Sequence, residues 1–284
     1  MPDLRTRWRD RLPWRPRPPV VPVIRLTGVI GGPALRGRGL TLQSLNPILE
    51  RAFKVRNAKA IALSISSPGG SPVQSSLITE RIRALAAGKD LKVLAFVEDV
   101  GASGGYWLAL AGDEIFADAS SIVGSIGVIH ASFGLQEVIA RLGIERRVHT
   151  AGERKSLMDP FRPEDPDEVR RLNELLHAIH QGFKSEVRAR RGERLKGADE
   201  ELFDGQIWTG RQALEHGLID GLGTMHTVLR ERYGDRVRLP VMKAPRSWLR
   251  RRLEVETVQA WPGALADEIA FALAERALFA RYGL

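Results

Sequence analysis

Apolar residues in this chain come in short runs, set apart by glycine-rich turns and by stretches of helical spacing, and this alternation predicts an α/β fold. Val20-Val-Pro-Val-Ile-Arg-Leu26 reads as a first strand and Ala60-Ile-Ala-Leu-Ser-Ile65 as a buried second one, with helical spacing from Leu42 to Phe53 between them. The cycle repeats with a helix over Val73–Ala87, a strand over Lys92–Val97, a glycine turn, a helix ending at Ala111 and a strand over Glu114–Ala117. Ile122–Ile129 predicts another strand, Leu135–Leu142 a helix and Glu145–His149 a short strand. From Glu164 to Arg190 the apolar positions Val169, Leu172, Leu175, Leu176, Ile179 and Phe183 recur at helical spacing, which makes an amphipathic helix of at least about six turns. Residues 207–233 close the pattern: Ile207-Trp-Thr-Gly210 precedes a helix over Arg211–His216, and Gly217–Gly223 turns into another. Such alternation implies parallel strands joined by right-handed crossovers, with the loops that follow the strands gathered in one crevice.

Composition and charge divide the chain further. With 284 residues and 43% apolar content it buries a substantial core. The pattern divides into an arm over residues 1–19, one domain over 20–235 and an extension over 236–284, whose stretch Ala264–Phe279 is apolar enough to dock as a helix. The net charge of +9 is concentrated, with Arg5, Arg7, Arg9, Arg11, Arg15 and Arg17 crowding the arm and Arg246, Arg250, Arg251 and Arg252 forming a second cluster. A solvated tail and peripheral contact with an anionic membrane both fit the arm; nucleic acid is not an expected partner. No run of about 18 apolar residues and no signal-peptide core is present, so the expected location is cytoplasmic or peripheral at the inner face of the membrane. There is no cysteine, which excludes thiol nucleophiles and cysteine-bound metals, and His177 and His180 lack further ligands.

The most informative turn is Val100-Gly101-Ala102-Ser103-Gly104-Gly105-Tyr106, which sets one hydroxyl among three glycines between a strand and a helix. Glycines there clear space for a substrate carbonyl, and the first turn of a helix offers N–H groups to a developing oxyanion, so Ser103 reads as a nucleophile. An N-cap serine in a tight turn is the other reading. A serine needs a base to take its proton. His130 with Asp118 or Asp113 would complete a triad. Alternatively, Gly152-Glu-Arg-Lys155-Ser-Leu-Met-Asp-Pro160 places a lysine before apolar Leu157 and Met158, which could dehydrate it toward the neutral amine.

Four ordered motifs decide between these. Ser66-Ser-Pro-Gly-Gly70, Ala102-Ser-Gly-Gly-Tyr106, Gly124-Ser-Ile-Gly-Val-Ile129 and Gly152–Pro160 resemble, in order and spacing, the signal peptide peptidase A (protease IV) family. The resemblance runs from about Val23 to Gly223 and includes Asp204–Ala213. It implies a Ser-Lys dyad of Ser103 as acylated nucleophile and Lys155 as general base, with Ser125 hydrogen-bonding the lysine and the Gly70 and Gly104 N–H groups as oxyanion hole. It also implies the Clp protease/crotonase-like fold, a superhelix of stacked ββα units, here with the long amphipathic helix and a C-terminal helical extension. Extended peptides, signal-peptide remnants among them, are the implied substrates, with Val100, Ile126, Val128 and Ile129 as pocket walls. No cofactor is needed. Single-copy relatives form rings in which a neighbour can donate the lysine, so a homo-oligomer is expected. A crotonase-like acyl-CoA enzyme and a peptide- or membrane-binding scaffold are the alternative functions.

Overall fold

β1 (Val23–Thr27), β2 (Ile61–Ser67), β3 (Val93–Ala102), β4 (Glu114–Ala117) and β7 (Gly221–Leu222) lie side by side in that order, all parallel. This is the spine of the computed structural model, which describes residues 18–31, 39–152 and 154–244 together with positions 279, 280 and 282. Nearly all of the basic arm and of the predicted C-terminal helix lie outside the described residues. β2 is buried at every position, as its apolar run predicts. Ile61, Leu63 and Ile65 enter one core beneath α1 (Leu42–Phe53), α2 (Pro72–Ala87) and α3 (Gly104–Ala109). Ala60 and Ala62 face the opposite side, where Val21, Val23, Leu94, Phe96 and Phe116 pack with Leu229 of α8 (Met225–Tyr233). Helices on both faces are what a parallel sheet requires. α1 begins where Thr41 and Ser44 close a capping box, so its ends match the sequence reading.

Three segments depart from that reading. β3 runs on past Val97 to Ala102, although Glu98 and Asp99 end the apolar run; both carboxylates are exposed and accept bonds from Ser64 and Ser66 of β2. The extra length lets β3 change partners, with Leu94–Val97 against β4 and Val100–Ala102 against β5 (Ile122–Gly124). β5 in turn pairs antiparallel with β6 (Ile207–Thr209). The predicted strand to Ile129 therefore stops at Gly124, because Gly124 and Ser125 have φ of +104° and +52°, outside the strand region. Glu145–His149 forms no strand: its residues are exposed and pair with nothing in the sheet among the described residues.

α5 (Pro166–Arg191) is the long amphipathic helix, opened by Asp165, whose carboxylate accepts the Asp167 N–H. Its second half docks: Phe183 stacks on Trp107 of α3 at 4.5 Å, and buried Arg191 pairs with Asp220 at 2.7 Å. Burial pushes the Asp220 carboxyl up, but the Arg191 bond, the Ile115 N–H and the charges of Arg191 and Arg194 outweigh it and hold the group below the usual carboxylate range. A depressed carboxylate adds stability above its unfolded pKa of about 4 and loses it as pH falls through the folded value. Asp220→Asn is therefore expected to cost about 3 kcal/mol at neutral pH by leaving a buried guanidinium unpaired, and to flatten the acid side of the stability profile measured by urea unfolding.

Candidate active site

The turns after β2, β3 and β5 meet above the ends of these strands. Ser103 follows β3 with φ +52° and ψ −123°, a conformation costing a non-glycine residue about 1–3 kcal/mol. Its N–H donates to the Gly124 carbonyl at 2.8 Å, and its carbonyl accepts the Trp107 N–H at 3.1 Å, which starts α3. The half-buried hydroxyl makes no capping bond, so the residue is not the side-chain cap that the sequence left open.

Glycines let the backbone of the β2 turn touch this serine. A Cβ on Gly69, which has φ +106°, would stand 2.8 Å from the Ser103 Cβ and 2.9 Å from the Gly104 nitrogen. The Ile30 N–H donates to the Gly69 carbonyl, and the Ser71 N–H donates to the Ile30 carbonyl, each at 2.8 Å. In a trans peptide the N–H opposes the preceding carbonyl, so the Gly70 N–H points away from Ile30, and it has no backbone acceptor among the described residues. Gly104 is the first residue of α3, and its N–H has no intrahelical acceptor. Two donors on touching backbone segments beside a hydroxyl can hold a tetrahedral oxyanion. Gly69→Ala is expected to lower kcat by about a hundredfold or more, because the added methyl must push Ser103 aside, with a smaller loss of melting temperature.

Ser125 is linked to Ser103 through one bond, since Gly124, its predecessor, accepts the Ser103 N–H. The Ser125 N–H itself donates to the Gln206 carbonyl at 2.7 Å. Trp208 of β6 lies against Gly124 so closely that a Cβ there would be 2.8 Å from its Cδ1. Ser103, Ser125, Gly70 and Gly104 are thus brought together. Lys155 is exposed and bonds to none of them among the described residues; its loop is tied instead to Leu135, whose N–H donates to the Pro160 carbonyl, to Arg146, which donates to Asp159, and to Glu168 of α5, which accepts the Met158 N–H at 2.9 Å. The loop belongs to a segment that includes α4 (Gln136–Arg141), a helix with no buried residue. That segment leaves Ile129, Phe133, Val138, Leu142, Ile144, Val148 and Leu157 exposed.

The triad alternative is not assembled. His130 is exposed, Asp113 accepts the Val93 N–H at the start of β3, a full strand length from Ser103, and Asp118 accepts the Ser120 N–H. Two expected pocket walls are corrected: Val100 and Ile126 are fully buried core residues, whereas Val128 is half-buried and Ile129 exposed. His180, first weighed as a metal ligand, bonds through Nε2 to the Ile126 carbonyl at 3.0 Å. Nothing in the sequence marks that contact, which joins residues 54 apart.

Comparison with known proteins adds an independent line. The family model described as Peptidase family S49 matches residues 85–235, more than half of the chain. The Na(+)/H(+) antiporter NhaA of Brucella melitensis is 50% identical over 274 residues, covering 93% of this chain, which spans only 37% of that relative's length. The Synechocystis protein slr0021, named as a protease, is 32% identical over 80% of both chains. The chloroplastic serine protease SPPA of Arabidopsis thaliana is 33% identical over 62% of this chain and 26% of its own.

Proposed function

This chain belongs to peptidase family S49, and from that premise we propose a serine endopeptidase that acylates Ser103 with Lys155 as its general base. The observation that carries the reading is the strained Ser103 wedged against Gly69, beside the N–H groups of Gly70 and Gly104, which have no backbone acceptor among the described residues. Ser103 Oγ gives its proton to the uncharged Lys155 amine and attacks the scissile carbonyl carbon. The two N–H groups take the oxyanion, each worth about 3 kcal/mol in the transition state. Lys155 then returns the proton to the departing amine, leaving an ester on Ser103, and afterwards deprotonates the water that hydrolyses it. The Ser125 hydroxyl steadies the amine.

The lysine reaches Ser103 from an adjoining copy in a ring. Exposed apolar side chains throughout the Lys155 segment support this, since a second copy would cover them and dehydrate the amine. The subunit itself is of the Clp protease/crotonase-like type, for which the parallel sheet with glycine turns above it is the support. Substrates are extended peptides, including membrane-associated ones. The antiporter name borne by the Brucella relative agrees with a membrane setting, and no helix among the described residues is long and apolar enough to cross a membrane.

Because the base must be uncharged, peptide cleavage by the assembled protein is expected to rise from neutral to alkaline pH. A flat profile with chemistry rate-limiting would remove a lysine base. Turnover of acyl-CoA that survives Ser103→Ala would favour the crotonase-like alternative instead.

A further inference from the structure

The turn that follows β5 is held in a conformation it would not adopt alone. Gly124 and Ser125 are consecutive positive-φ residues, and three backbone bonds secure them: Ser103 N–H to Gly124 carbonyl, Ser125 N–H to Gln206 carbonyl and Gly127 N–H to Ser125 carbonyl. The remaining bond comes from a side chain, with His180 Nε2 at 3.0 Å from the Ile126 carbonyl. A carbonyl can only accept, so Nε2 carries the hydrogen. Burial lowers the pKa of this imidazole, and the neighbouring charges of Lys184 and His177 act in the same direction; bonds to the Ile126 and Phe203 carbonyls oppose them.

α5 is suited to act as a brace here. His180, Phe183, Val187 and Arg190 fall on one face by helical spacing. Phe183 stacks on Trp107, four residues beyond Ser103, while Arg190 donates to the carbonyls of Leu110 and Gly112 just past the end of α3. One rigid element therefore holds the nucleophile's helix at two points and the Ser125 turn at a third.

We infer that His180 is a positioning residue: by donating Nε2–H to the Ile126 carbonyl it fixes the Gly124–Gly127 turn, and with it the placing of Ser125 relative to Ser103. The inference rests on the proposed roles of these two serines. It concerns the chemical step more than substrate capture, because the gripped carbonyl adjoins Ser125, and Ile126 itself is buried away from any groove.

Glutamine and methionine at position 180 form the test, being equal in length with only the former able to donate. His180→Met is expected to lower kcat on a fluorogenic peptide by about tenfold or more with KM nearly unchanged, whereas His180→Gln stays within about threefold of the parent. The rate at which a small fluorophosphonate labels Ser103 should fall in parallel with kcat. His180→Asn, whose amide donor is too short to reach the carbonyl, is the second variant without the bond and should behave like His180→Met. Equal activities of the methionine and glutamine proteins overturn the inference. So does a loss carried wholly by KM or by the unfolded fraction in a thermal melt. Parent protein that cleaves peptide while these variants do not differ removes the role of His180 alone; parent protein left unlabelled at Ser103 removes the reading beneath it.

Discussion

Ser103→Ala is expected to lower peptide turnover by on the order of 10⁴-fold or more, since a peptidase deprived of the proposed nucleophile retains only binding and oxyanion stabilisation. The fold should survive, because the hydroxyl makes no capping bond and the backbone bonds to Gly124 and Trp107 persist. A companion substitution separates catalysis from stability. Ser103→Gly removes the Cβ from a residue at φ +52° and is expected to raise stability by about 1 kcal/mol while being just as inactive. The check is kcat/KM on a peptide together with urea unfolding of the three proteins. An alanine variant that turns over normally moves the nucleophile elsewhere, and a glycine variant that is destabilised denies that the turn is strained.

Lys155→Ala is expected to have an effect of the same order, because an unassisted serine does not attack an amide at a useful rate. Here the two variants can repair one another. If each site takes its serine from one copy and its lysine from the next, random co-assembly of Ser103→Ala with Lys155→Ala leaves about a quarter of sites intact, as expected for a heterologous ring interface. Mixing after dissociation and reassembly should restore activity to about that fraction. If both groups come from one chain, no mixture recovers, and the exposed Lys155 loop must then fold back onto its own Ser103.

The elements legible in the sequence are those whose pattern is local. α1 and β4 carry their boundaries in the periodicity of Leu42–Phe53 and in the run Glu114–Ala117. The sharp strand-to-helix turn at Ser103 is legible because the glycines that flank it are themselves the signal. Other features depend on partners far along the chain. β3 continues through Glu98 and Asp99 because Ser64 and Ser66 on the neighbouring strand bind them, which no reading of β3 alone could supply. The contact of Gly69 with Ser103 and the bond from His180 to Ile126 arise from packing, and a glycine or a histidine in isolation gives no hint of either. The expectation for Lys155 rests on the company of its motif. Its route to Ser103 is invisible within one chain if the site is shared between copies.

If the Ser103 hydroxyl is the group that becomes acylated, a serine-directed probe should be captured there. Incubating the assembled protein with a fluorophosphonate, digesting it and mapping the adduct by mass spectrometry tests this directly. A single modified peptide carrying the label on Ser103 is expected, formed far more slowly in Lys155→Ala protein. Label on another serine, or none on a protein that is cleaving peptide, contradicts it.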